Sequence, residues 1–130
     1  MQPLTLSVLP ETLAVCRLGP DDGVPPWARA GSVRVVTRTA SELSIVCGDA
    51  SVPAAVTANR GWRAIAVDGT LDFALTGVLA SLASPLAAAG ISIFAVSTYD
   101  TDYVLVKQDA LDRAVAALAS AGHRVHGLST

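Results

Sequence analysis

From Trp62 onward the apolar residues switch between two periods, and each switch marks an element. In 62–67, Ile65 and Val67 alternate with Ala64 and Ala66, the two-residue period of a strand. Asp68-Gly69 predicts a turn. Val78, Leu79, Leu82, Leu86 and Ala89 then recur every three or four residues, one face of a helix. Thr76 stands where a helix-opening hydroxyl is expected, Gly77 falls in the first turn, and Gly90 marks the stop. Pro85 inside this helix removes a hydrogen bond and predicts a bend. The run 91–97 is short and rich in β-branched residues, a buried strand. A polar turn at 98–102 leads to a second strand at 103–107. Asp109 is expected to cap a helix that turns Leu111, Val115 and Leu118 inward. Gly122 ends it, and 123–128 predicts a last strand. The order is β-α-β-β-α-β, the split arrangement of ferredoxin-like units.

The first half reads as a trimmed copy. Strands are expected at 4–8, 12–18, 33–37 and 43–47, with a turn at 20–23. The prolines at 25 and 26 allow only a short helix over 25–30, and Pro53 is placed to start another over 52–59. Residues 36–46 align without a gap on 96–106, sixty positions later. Hydroxyls coincide at 37 and 97 and at 41 and 101, and carboxylates at 42 and 102. This internal repeat predicts an α+β fold of two tandem units, 1–60 and 61–130. The boundary, near Asn59-Arg60-Gly61, is too short for a flexible linker. The units are therefore expected to pack side by side, with an antiparallel sheet and helices on one face.

Composition narrows the function. Apolar residues make up 52% of the 130 and charged residues only 15%, so little polar side chain is left to cover a small surface. Part of that surface is expected to be an interface, with a second copy as the natural occupant. The net charge of −2 and the lack of a basic stripe argue against a nucleic-acid binder. Phe73 to Tyr99 is 27 residues without a formal charge, long enough for a membrane span. Its change of period at Gly90 and its many hydroxyls and glycines identify a buried helix and a buried strand instead. No positive segment precedes an apolar stretch at the N-terminus, so no signal peptide is expected. Cys16 and Cys47 each sit in an apolar run and read as buried thiols of a reducing, cytoplasmic environment. His123 and His126 lack further ligands, so no metal is expected. No phosphate loop, zinc motif or nucleophile–base spacing is present, so neither catalysis nor a cofactor is expected.

One stretch of chemistry remains. Backbone N–H groups at the start of the 76–89 helix point outward with partial positive charge, suited to a carboxylate. Asp102 offers a charged acceptor suited to an ammonium. A free amino acid carries both groups.

The residues that frame this chemistry resemble a known family. Leu71-Asp72-Phe73-Ala74-Leu75-Thr76-Gly77-Val78-Leu79-Ala80-Ser81-Leu82 is similar to the glycine-bearing loop and first helix of ACT domains. Leu86-Ala87-Ala88-Ala89-Gly90-Ile91-Ser92-Ile93 resembles the exit of that helix. Residues 97–106 resemble the hairpin of the tandem ACT proteins related to CASTOR-type arginine sensors and aspartokinase regulatory domains. The resemblance is strong over 62–122, and the first half fits as a degenerate partner unit. It implies a non-catalytic regulatory protein, with an amino acid held where ACT units meet, in a homodimer read by a regulated partner. Leu75, Thr76, Gly77 and Val78 would then line the carboxylate side, and Thr98, Tyr99 and Asp102 the hairpin side. The chain departs from regulated enzymes in having no catalytic domain, and from the four-unit sensors in its two units. Two other readings stay open: a ligand-free oligomerisation module, and a small ferredoxin-like enzyme pairing Asp102 with His123 or Tyr99.

Overall fold

Strand alternation and helical periodicity become seven strands and two α-helices in the computed structural model, which describes residues 3–127. The strands are β1 (Thr5–Leu18), β2 (Val35–Arg38), β3 (Leu43–Gly48), β4 (Ala58–Val67), β5 (Phe94–Ser97), β6 (Asp102–Lys107) and β7 (Arg124–His126). The helices are α1 (Val78–Ala88) and α2 (Leu111–Ser120), and short 3-10 turns lie at Pro26–Arg29, Asp49–Ser51 and Gln108–Ala110. The expected strand at 123–128 ends at His126, and Leu128 lies outside the described residues.

The chain divides into two units. One holds the residues up to Pro10 together with those from Arg63 onward; the other is Glu11–Trp62. The division falls inside β1 and inside β4, so the first ten residues group with the second half of the chain.

The first unit has the α+β class; from Arg63 onward it follows the β-α-β-β-α-β order read from the sequence, and the start of β1 adds a fifth strand. Its strands lie in the order β7-β1-β4-β6-β5. The last strand pairs with β1, Thr5 opposite Arg124 and Ser7 opposite His126, and that pair is parallel. Leu6 and Val8, Ile65 and Val67, and Val104 and Val106 are alternate residues of three strands, so each pair points to one face. They form one buried cluster with Val78, Leu82 and Leu86 of α1 and Ala114 and Leu118 of α2, which places both helices on that face. Each helix closes after a glycine by a backward hydrogen bond, Ile91 N–H to Leu86 O at 2.9 Å and His123 N–H to Leu118 O at 3.1 Å. Asp109 does not cap α2: it lies in the preceding 3-10 turn, and no side chain caps that helix.

Pro85 leaves the Ser81 carbonyl without its usual partner, because proline has no N–H to return four residues. His123 fills the gap. Its ring is buried, Nε2 lies 3.1 Å from Ser81 O, and Nδ1 accepts the Leu4 N–H at 3.0 Å. The Leu4 bond makes Nδ1 the acceptor, so Nε2 carries the proton and donates to Ser81. One imidazole thus ties the chain before β1 to α1. With both ring nitrogens committed to backbone groups, His123 has no nitrogen left for catalysis with Asp102.

In the second unit, β3 lies between β2 and β1, antiparallel to both, with Leu13 opposite Gly48 and Arg38 opposite Leu43. Ala14, Cys16, Leu43, Ile45 and Cys47 are buried with Ala28 and Val52. Two expectations change here. The strands predicted at 4–8 and 12–18 are one strand, because Pro10 fits extended backbone and removes only a donor. The helix predicted over 52–59 is absent. Arg60 donates to the carbonyls of Asp49, Val52 and Pro53 and pairs with the Asp49 carboxylate at 2.8 Å, so those carbonyls serve a loop and β4 begins at Ala58.

Both cysteines are free and buried. Burial, reinforced by Cys47, pushes the Cys16 thiol up to about 11, and burial also raises Cys47.

These contacts predict two outcomes. His123→Ala should cost about 1–3 kcal/mol in urea unfolding, because it orphans the Leu4 N–H and the Ser81 carbonyl. In a Pro85→Ala background, which restores an N–H for Ser81, the same substitution should cost less. Additivity across that double-mutant cycle would refute the link. For Cys16, the folded chain holds its proton more tightly than the unfolded chain, whose thiol ionises near 9. That contribution is complete below pH 9 and is lost as pH rises through about 11. Stability measured by denaturant titration across this window should fall less steeply in Cys16→Ala.

Candidate functional site

The site begins where β4 ends. The Asp68 N–H donates to Thr5 O at 2.9 Å, and Gly69 then reverses the chain with φ +84°. Asp72 organises the segment that leads to α1: its Oδ1 accepts the Ala74 N–H at 2.8 Å and its carbonyl accepts the Leu75 N–H at 3.0 Å. Helix α1 is opened by Gly77, not by the Thr76 hydroxyl, and no side chain caps it. Gly77 has φ +81°, a conformation that side-chain-bearing residues rarely adopt. The glycine is required by the backbone itself, beyond any need for a ligand to come close. The first bond of the helix runs from Ser81 N–H to Gly77 O at 2.9 Å, so the N–H groups of Val78, Leu79 and Ala80 precede the intrahelical ladder.

The second wall is the tip of the β5–β6 hairpin. Its loop is the pair Tyr99-Asp100. Two-residue hairpin loops usually need positive φ, yet among the described residues only glycines have it. Thr98 supplies the alternative. Its N–H donates to Thr101 O at 2.8 Å, its hydroxyl donates to the same oxygen at 3.0 Å, and that hydroxyl accepts the Thr101 N–H at 3.3 Å. The buried Thr101 hydroxyl donates to Val67 O at 2.7 Å, hooking the tip to the end of β4.

The β2–β3 hairpin of the second unit uses the same device. There the Thr39 N–H donates to Glu42 O at 2.9 Å, and the Thr39 hydroxyl accepts the Glu42 N–H at 3.2 Å. Residues 39–42 therefore correspond to 98–101, fifty-nine positions apart, not the sixty of the gapless alignment. Glu42 corresponds to Thr101, and Leu43 to Asp102. The carboxylates at 42 and 102 are not equivalent; the alignment matched similar residue types one step out of register.

Between the two walls of the first unit lies a cavity of about 210 Å³. Leu71, Asp72, Phe73, Leu75 and Val78 line one side, and Ser97, Thr98, Tyr99, Asp100, Thr101 and Asp102 the other. Of the residues singled out in the sequence, Leu75, Val78, Thr98, Tyr99 and Asp102 meet here. Thr76 and Gly77 are not in the lining. Asp72, Phe73 and Asp100 join it, although the sequence marked them only as parts of the segment before the helix and of the hairpin turn; their place flanking the helix start and the hairpin tip was the available signal. Three carboxylates and no basic side chain line the space. Among the described residues the Asp102 carboxylate has no hydrogen-bond or ion-pair partner. At the rim the Phe73 and Tyr99 rings meet edge to face, with centroids 4.7 Å apart and planes at 62°. No helix of the described residues is long and apolar enough to cross a membrane.

Comparison with known proteins places this geometry. A family model described as "ACT domain" matches residues 57–120, and a second, described as an N-terminal domain, matches 11–55. The chain is 38% identical over 58 residues, 44% of its length, to the cytosolic arginine sensor for mTORC1 subunit 1 of Homo sapiens. The match covers 18% of that sensor, so the chain spans about a fifth of the curated relatives it matches. The solved structure of protein Atu0741 from Agobacterium tumefaciens is 35% identical, with a TM-score of 0.93 over 100% of this chain and 97% of that one. The regulatory subunit of aspartate kinase from Thermus flavus shares the fold at 12% identity, with a TM-score of 0.65 over 92% of this chain and 99% of that one. With its glycine-opened helix and threonine-closed hairpin, the domain at residues 57–120 belongs to the ACT domain family.

Proposed function

We propose that this protein is a non-catalytic regulatory module that binds a free α-amino acid in the cavity between the start of α1 and the β5–β6 hairpin. The observation that carries the reading is the unpaired Asp102 carboxylate lining the same cavity as Val78, the first residue of α1. An ammonium would pair with the carboxylate. The α-carboxylate would take the free N–H groups of the helix start. At about 210 Å³ the space falls below the roughly 300–1,000 Å³ of drug-sized sites, which suits one small metabolite.

Charge refines the ligand. With three carboxylates and no basic side chain in the lining, a second positive group adds attraction and a second negative group adds repulsion. Cationic amino acids are therefore the preferred class, and the arginine named for the sensor relative falls in it. Regulation would work by linkage: ligand binding favours one arrangement of the site, and a partner protein responds to that arrangement. A homodimer, expected from the apolar composition, belongs to the same proposal and is checked by sedimentation.

A thermal-shift screen with the twenty standard amino acids tests the reading. L-arginine or L-lysine should raise the melting temperature and L-glutamate should not, because a ligand selective for the folded form stabilises it by mass action. Asp102→Ala should weaken L-arginine binding by about tenfold or more in calorimetry while leaving the unliganded melting temperature nearly unchanged. Full affinity in that folded variant would remove Asp102 from the site. No response to any amino acid, with a robust dimer, would favour the ligand-free oligomerisation module.

A further inference from the structure

We infer that residues 70–76 form a clasp over the cavity, and that the Phe73–Tyr99 ring contact fastens it and sets how fast ligand enters and leaves. This rests on the amino-acid reading above and adds the control of access to it.

The two walls of the cavity come from separate parts of the chain, and two contacts join them directly. At the base, the Leu71 N–H donates to Asp100 O at 2.7 Å. At the rim, the Phe73 and Tyr99 rings meet edge to face. Between these contacts the segment is braced internally by the two bonds to Asp72, so it holds together as a small lobe. Its ends are glycines with positive φ, Gly69 and Gly77, and nothing lies within 4 Å of a Cβ built on Gly69. A braced lobe flanked by two glycines, the residue type that best tolerates a change of φ and ψ, and in open space at one end, is the construction of a hinged flap.

Exposure gives the flap something to close on. Phe73 is 73% exposed and Tyr99 79%, although their rings touch, and Leu75 is half exposed. Large apolar groups left this open gain when a movement or a ligand covers them. Edge-to-face ring contacts add a modest attraction to that burial. Such a contact is weak enough to part for a ligand and strong enough to slow its escape.

The test uses L-arginine as probe and follows its release from the intact protein by stopped flow. Phe73→Ala and Tyr99→Ala should each speed release by about three- to tenfold. The double variant should be no faster than either single one, because the rings act as a pair. In the absence of ligand, Tyr99→Ala should also speed amide hydrogen exchange across 71–76. Wild-type release rates in both single variants, or unchanged exchange in that segment, would overturn the clasp while leaving the binding site standing. If wild-type protein binds neither L-arginine nor any other standard amino acid, the ligand reading fails and takes the clasp with it.

Discussion

The hydrogen bond from the Thr101 hydroxyl to the Val67 carbonyl decides where the cavity is. It is buried and 2.7 Å long, and it joins the tip of the β5–β6 hairpin to the last residue of β4. A short hairpin tip has few contacts of its own and would otherwise be free to swing. The hook fixes Tyr99, Asp100 and Asp102 relative to the point where the chain leaves the sheet toward α1. The Leu71–Asp100 bond then brings the outgoing segment against the tip. The cavity is the space these two bonds leave between a helix start and a turn.

Elsewhere in the first unit a titratable side chain has its bonding capacity already taken. His123 commits both ring nitrogens to backbone partners, one before β1 and one in α1. In the second unit, taken by itself, both cysteines are buried, with thiols pushed above their ordinary range. Such groups stabilise a fold and are poor nucleophiles or bases. The cavity wall, by contrast, holds an Asp102 carboxylate that has no partner among the described residues. Unpaired charge beside a concave surface is the feature on which the proposed ligand reading draws. A binding module acts on others only through a difference between its free and occupied forms. The braced segment between Gly69 and Gly77 is the part of the first unit best built to differ.

The unit's order of elements was legible because it is written in local pattern. Alternation in 62–67, the three-to-four spacing of Val78, Leu82 and Leu86, and glycines at 90 and 122 each constrain only near neighbours. The failures share a cause. The helix expected over 52–59 lost to Arg60, whose guanidinium collects carbonyls that a helix would have used. The break expected at Pro10 did not occur, because proline is compatible with extended backbone. The two hairpin tips match one residue away from the alignment read in the sequence, since register is set by which backbone groups pair across a turn, not by likeness of side chains.

For the candidate site, the sequence by itself determined the materials: a glycine at a helix start, a hydroxyl-rich turn at 98–102, and acids in both segments. These are properties of short segments, fixed by backbone sterics and by side chains bonding to their own neighbourhood. Only the tertiary structure decided which of them share a cavity. Val78 and Asp102 are separated by a helix and a strand, and a through-space hook of 2.7 Å brings their surroundings together. It also decided that Gly77 serves backbone geometry, that Thr76 lies outside the lining, and that Phe73 meets Tyr99. Contacts across such distances depend on how whole elements pack, and no local pattern carries that information.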